Sequence, residues 1–219
     1  MYIMANQLRL FYECAGQGTP MILLHGNGES GGIFDVCMPQ LAKHYTVYAL
    51  DSRCHGRSQD TPEISYGAMA DDLIAFITEL GLDRPVVYGF SDGGIVGLLL
   101  AIKRPDLLRH LIVSGANLNP QGLTSWALSE IERDYAASPD KLTALMLREP
   151  DIRLEELGSI PIPVDVLAGE FDLIRSEHTA EIAAAIPRGR LRIIPDADHS
   201  SYIVHSDALY PILMDCMKP

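Results

Sequence analysis

Pro85-Val86-Val87-Tyr88-Gly89-Phe90-Ser91-Asp92-Gly93-Gly94-Ile95-Val96-Gly97-Leu98-Leu99-Leu100-Ala101 is the stretch from which the rest of the 219-residue chain is read. An apolar run at 85–88 has the character of a strand and the run at 95–101 that of a helix. The residues between them leave room only for a tight turn with a serine at its apex. Glycine is required at 89 and 93, because the serine backbone is strained and a side chain at either position would collide with the neighbouring strand or helix. Ser91 would then stand clear of the sheet. At a helix start, unpaired backbone N–H groups and the positive end of the macrodipole face any negative charge that forms beside the hydroxyl. Acyl transfer to a serine requires those conditions.

Gly-x-Ser-x-Gly is a short pattern that chance also produces, so the context must carry the argument. A nucleophilic serine needs a base to take its proton and an acid to orient the base, here in the order serine, carboxylate, histidine. The strand-like run Pro163-Val164-Asp165-Val166-Leu167-Ala168 ends at Gly169 and opens into Glu170-Phe171-Asp172, where either acid could serve. Leu191-Arg192-Ile193-Ile194 leads into Pro195-Asp196-Ala197-Asp198-His199, which puts His199 just past another strand end. Ligand sites of parallel α/β sheets gather outside the carboxyl ends of the strands, so residues scattered along the chain can converge there. Earlier, Met21-Ile22-Leu23-Leu24 runs into His25-Gly26-Asn27-Gly28. The backbone N–H of Asn27 can join that of Asp92 in binding an oxyanion, each donor being worth about 3 kcal/mol in the transition state. Asp92 is needed only for its backbone, and its carboxylate should point away.

These segments together resemble the α/β-hydrolase superfamily along almost the whole chain. His25-Gly26-Asn27-Gly28 is similar to its oxyanion loop, and Gly89-Phe90-Ser91-Asp92-Gly93-Gly94 to its nucleophile elbow. Asp51-Ser52-Arg53-Cys54-His55-Gly56-Arg57-Ser58 resembles its Asp-x-Arg-Gly-His-Gly-x-Ser segment, with Cys54 where glycine is usual. Gly169-Glu170-Phe171-Asp172 and Asp198-His199 match its acid and base loops, and this match selects Asp172 over Glu170. The resemblance implies a Ser91–His199–Asp172 triad that cleaves a small-molecule acyl ester through an acyl-enzyme, with neither metal nor organic cofactor. Serine at the elbow disfavours the aspartate-based chemistries of the dehalogenase and epoxide-hydrolase members.

Two other readings compete. Gly26-Asn27-Gly28-Glu29-Ser30-Gly31 satisfies Gly-x-Gly-x-x-Gly after a strand, and Asp51 ends the next strand where a dinucleotide's ribose would need a carboxylate. Against it, Glu29 sets negative charge where a pyrophosphate should lie, and Gly31-Gly32 delay the helix that should cradle it. A hydrolase-fold protein can also keep its triad and act as a ligand receptor, since fold does not guarantee turnover.

Strand-like and helix-like runs alternate, as in a mostly parallel, doubly wound sheet covered on both faces, within one domain over 1–219. Strands are expected near 21–24, 45–50, 85–89, 109–114, 164–168 and 190–195, and helices near 34–43, 66–80, 93–103, 176–186 and 205–217. Leu8-Arg9-Leu10-Phe11-Tyr12 is expected to form an edge hairpin with the run at Met21. The alternation breaks between about 117 and 160, where Trp126, Leu128, Ile131 and Tyr135, then Leu142, Leu145 and Met146, fall at helical spacing between prolines. This small helical insertion occupies the place of the superfamily's cap. Its brevity suits a small or medium acyl group, with Trp126, Leu145, Met146 and Ile174 as expected pocket walls.

Composition narrows the partners. Seventeen Lys and Arg stand against 29 Asp and Glu, and the net charge of −12 argues against nucleic acid or an anionic membrane surface. No basic segment precedes a long apolar core at the N-terminus, and no run of eighteen apolar residues occurs. Cys14, Cys37, Cys54 and Cys216 are widely spaced, which fits reduced thiols in a cytoplasmic protein rather than a disulfide frame or a zinc site.

Overall fold

A computed structural model describes residues 1–218. Eight strands form one sheet in the order β1-β2-β4-β3-β5-β6-β7-β8. They are β1 (Tyr2–Ala5), β2 (Leu8–Ala15), β3 (Thr19–Leu24), β4 (Tyr45–Leu50), β5 (Val86–Phe90), β6 (His110–Ser114), β7 (Val164–Phe171) and β8 (Gly189–Asp198). From β4 to β8 every neighbouring pair is parallel, whereas β1/β2 and β2/β4 are antiparallel. The central strands read as unbroken apolar runs because both faces are covered. On one face Leu73, Phe76, Leu98, Leu111 and Ile182 belong to a core built with α2 (Tyr66–Glu79), α3 (Asp92–Lys103) and α6 (Ser176–Ala185). On the other, Met21, Leu23, Leu41, Tyr88 and Leu213 pack with α1 (Met38–Leu41) and α7 (Leu209–Cys216). Between β6 and β7 the chain makes an excursion that contains α4 (Ser125–Ala137) and α5 (Lys141–Arg148).

Three expectations are corrected. The hairpin partner of β2 is β1, joined through Asn6 and Gln7 at φ 48° and 63°, and on its other side β2 pairs with β4, not with the run at Met21. β3 is taken on both sides by β4 and β5, so no edge remains for β2. The helix expected over 34–43 is a 3-10 turn at Gly31–Phe34 followed by the single turn α1, split because Pro39 at the start of α1 has no N–H with which to continue a longer helix. The last helix starts at Leu209, not 205; the chain first turns through His205, whose φ is 51° and whose N–H donates to Ile33 O.

The segment after β4 fastens this scaffold. Asp51 Oδ1 accepts from Gly31 N and its Oδ2 from Arg57 N, both at 2.8 Å. Arg53 makes a bidentate pair with the buried Asp72 of α2. Cys54 sits at φ 63°, so the left-handed conformation for which glycine is the usual choice is kept by a cysteine, whose Sγ lies 3.1 Å from Thr61 Oγ1. Asp51 is thus buried with both oxygens engaged inside the protein, and Gly31–Phe34 is a 3-10 turn rather than an α-helix whose N-terminus could cradle a pyrophosphate, which counts against the dinucleotide reading.

Candidate active site

Parallel register brings the strand ends together. Leu24 of β3 pairs with Gly89 of β5, Phe90 of β5 with Ser114 of β6, and Phe171 of β7 with Asp198 of β8. The residues that follow these ends are His25, Ser91, Gly115, Asp172 and His199, so each sits at the carboxyl edge of the sheet.

At the turn after β5, Ser91 has φ 51° and ψ −115°. Its N–H donates to Ser114 O at 2.8 Å, and its carbonyl accepts from Gly94 and Ile95, so α3 starts at once. The glycines are sterically required: a Cβ at Gly89 would lie 2.2 Å from Gly93 O, and one at Gly93 would lie 2.5 Å from Leu24 O. The Ser91 hydroxyl makes no hydrogen bond with a described residue.

His199 and Asp172 form a pair, Nδ1 to Oδ1 at 2.7 Å. The carboxylate is held from behind, Oδ2 accepting from Gly169 N and Oδ1 from Ile174 N, each at 3.0 Å. With Nδ1–H given to Asp172, Nε2 is the acceptor face of the ring. The imidazole rests on Phe90, ring centroids 4.9 Å apart. Glu170, the alternative acid, accepts from Asp196 N and is exposed.

The loop after β3 has its own fixed polar core. His25 is fully buried, with Nδ1 donating to Gly26 O at 2.7 Å and Nε2 accepting from Ser52 N at 3.0 Å. Burial pulls its pKa down to about 4, so the ring is neutral. The Asp92 carboxylate points into the protein, taking hydrogen bonds from Tyr66 Oη at 2.7 Å and Asn27 Nδ2 at 2.9 Å, and burial raises its pKa. The backbone N–H groups of Asn27 and Asp92 have no protein acceptor among the described residues. Ser91, Asn27, Asp92 and His199 all line one cavity of 310 Å³.

A family model for the α/β hydrolase fold matches residues 19–143. The chain belongs to the α/β-hydrolase fold family. Relatives named esterase and lipase support reading this member as an enzyme. It is 29% identical over 210 residues to the sn-1-specific diacylglycerol lipase of Mus musculus, covering 74% of this chain and 67% of the relative. It is 21% identical over 256 residues to the pimeloyl-[acyl-carrier protein] methyl ester esterase of Aliivibrio salmonicida, with 96% of each covered. Its fold is shared with a thermophilic esterase from Thermogutta terrifontis at a TM-score of 0.78 and 24% identity, over 98% of this chain and 96% of that one.

In this α/β hydrolase the expected pocket walls divide evenly. Met146 and Ile174 line the cavity. Trp126 does not: it is 64% exposed on the outer side of α4, where Ile131 takes the inward position. Leu145 is wholly buried in the core beneath α5, one residue round the helix from Met146. Both differences from the expectation are of helical phase, since a stretch apolar at several positions does not reveal which stripe faces the cavity.

Several residues of the site escaped the sequence reading, four of them with a polar or steric part to play. Gly115, at φ 61°, leaves room for the imidazole, because a Cβ there would lie 2.5 Å from His199 Cε1. Glu29, Asn117 and Ser200 supply polar lining. The only prior signal was the glycine after the β6 run and the acid three residues beyond Gly26. Among the described residues no cluster of three or more His, Cys, Asp or Glu is arranged to hold a metal ion, and no helix is long and apolar enough to cross a membrane.

Proposed function

We propose that this protein is a serine hydrolase that cleaves a small to medium acyl ester through Ser91, His199 and Asp172. The observation that carries this reading is the 2.7 Å His199–Asp172 pair, whose imidazole shares a cavity wall with a serine on a strained turn at a helix start. His199 Nε2 takes the proton as Ser91 Oγ attacks the carbonyl carbon. Asp172 keeps the other nitrogen protonated and stabilises the imidazolium. The oxyanion accepts from Asn27 and Asp92 N–H. The C–O bond then breaks, His199 gives its proton to the leaving alcohol, and water repeats the cycle to free the acid.

The helical excursion over 117–160 acts as a cap, tied to the oxyanion loop where Asn27 Nδ2 also donates to Leu142 O at 3.2 Å. A cavity of 310 Å³ lies at the small end of ligand sites, which supports a short acyl chain. Relatives named for methyl ester and diacylglycerol hydrolysis favour an ester over other acyl bonds.

Labelling with a neutral fluorophosphonate, followed by a p-nitrophenyl ester panel of graded acyl length, tests the reading. Ser91 should be the labelled residue, and Ser91→Ala should lower turnover by at least about a thousandfold with the fold intact. A Ser91→Ala protein that hydrolyses esters at the original rate would overturn it, and labelling without turnover of any ester would favour a receptor.

A further inference from the structure

The cavity around Ser91 is asymmetric in charge. Its wall is mostly apolar, with Leu123, Ile131, Met146 and Leu173 among the lining residues, and no Lys or Arg reaches it among the described residues. Of the two acids on the wall, Asp92 has both oxygens occupied by Tyr66 and Asn27. Glu29 differs. Its Oε2 accepts from Gly26 N at 2.9 Å, which fixes the carboxylate, while Oε1 has no protein donor and is not sealed from solvent. Burial raises the Glu29 carboxyl and the Gly26 N–H works against that rise. Apart from His199, nothing on the wall can become positive.

We propose that Glu29 sets the charge selectivity of this cavity, favouring esters that carry a cationic group, accepting neutral ones, and disfavouring those with a second, free carboxylate. This rests on the reading of the cavity as an ester site. A free carboxylate entering would lose hydration, meet no basic partner and lie against a fixed charge of the same sign. A trimethylammonium group would lose hydration too, but it would find a counter-charge and an apolar surround. The net charge of −12 on the whole chain biases approach in the same direction. Exclusion of this kind yields specificity from repulsion as much as from attraction.

Two isosteric ester sets separate charge from shape. One varies the alcohol: butyrylcholine, 3,3-dimethylbutyl butyrate and 3-butyryloxypropanoate. The other varies the acyl chain: methyl 4-(trimethylammonio)butanoate, methyl 5,5-dimethylhexanoate and monomethyl glutarate. Binding to the Ser91→Ala protein, by calorimetry, reads the preference without chemistry, and wild-type turnover of the neutral esters reads the triad in parallel. In at least one set the cation should bind about tenfold or more tightly than the anion. Adding Glu29→Gln, which keeps an acceptor for Gly26 N, should bring the two within about threefold, and Glu29→Asp should restore the order. Equal binding across both sets, or a ranking that survives Glu29→Gln, overturns the inference while neutral-ester turnover still supports Ser91. The ranking without any wild-type turnover upholds charge selection and overturns the hydrolase reading instead.

Discussion

Ser91 holds a backbone conformation that costs on the order of 1–3 kcal/mol, and it persists only because its surroundings leave no alternative. Gly89 and Gly93 admit neighbouring backbone at distances that no side chain could share, and Ser114 O holds the Ser91 N–H. Gly115 performs the same service for the His199 ring. An added methyl there would meet His199 Cε1 at 2.5 Å and Nδ1 at 2.7 Å, at a φ of 61° that already disfavours any side chain. The ring would have to move away from Asp172 or from Ser91. A shift of about 1 Å in a reacting group can cost about a hundredfold in rate, so Gly115→Ala should lower kcat/KM by at least that factor. Left-handed strain of roughly 1–2 kcal/mol should also lower Tm by several degrees. Ester kinetics and thermal melts on the same sample check both, and wild-type kcat/KM in the variant would show that the imidazole does not need this space.

At the scale of elements, legibility followed local pattern. Strands β3 to β7 and helices α2, α3 and α6 were readable because their apolar periodicity is set by burial on both faces of the sheet. Strand β1 was not readable: Tyr2 and Met4 point outward, and the turn at Asn6-Gln7 lacks the glycine that usually marks a two-residue hairpin. The proposed triad of Ser91, Asp172 and His199 was legible because each sits on a short motif after a strand. The inner faces of α4 and α5 depend on tertiary docking that the sequence does not encode locally. One such docking contact comes from α6, where His178 Nε2 accepts from the buried Leu118 N at 3.0 Å at the entry to the excursion. A Cβ at Gly122 would lie 2.5 Å from the same nitrogen, so the entry segment is moulded to this ring. His178→Ala strands the Leu118 N–H and opens a void, which should cost about 1–3 kcal/mol. It should also raise KM more than it lowers kcat, because Asn117, beside Leu118, lines the cavity, while His178 makes no hydrogen bond to His199 or Asp172. Denaturant melts and ester kinetics read the two effects, and an equal fall in kcat would assign His178 a part in the chemistry.

For the whole molecule, buried ionisable groups decide how stability responds to acid. His25 has its folded pKa depressed to about 4, against about 6.5 in the unfolded chain. Below the unfolded value the unfolded state takes up a proton that the folded state refuses, so stability falls as pH drops from about 6.5 towards 4. The 2.5-unit gap corresponds to about 3 kcal/mol, lost almost wholly by pH 4. His178, also lowered by burial, acts in the same sense. Asp165 does as well: it is fully buried against His110, Arg190 and Arg192, which hold its pKa down against desolvation, so its contribution is lost as acid protonates it. Glu29 and Asp92 run the other way, because their raised folded values mean that protonation relieves a burial penalty. A difference measurement isolates the His25 share. His25→Asn should lower stability at pH 7 through the lost contacts to Gly26 O and Ser52 N, yet its loss between pH 7 and 4 should be smaller than that of the wild type by about 3 kcal/mol. Urea titrations at half-unit pH steps on both proteins supply the two curves, and parallel curves across that window would mean that the imidazole is not held neutral in the folded state.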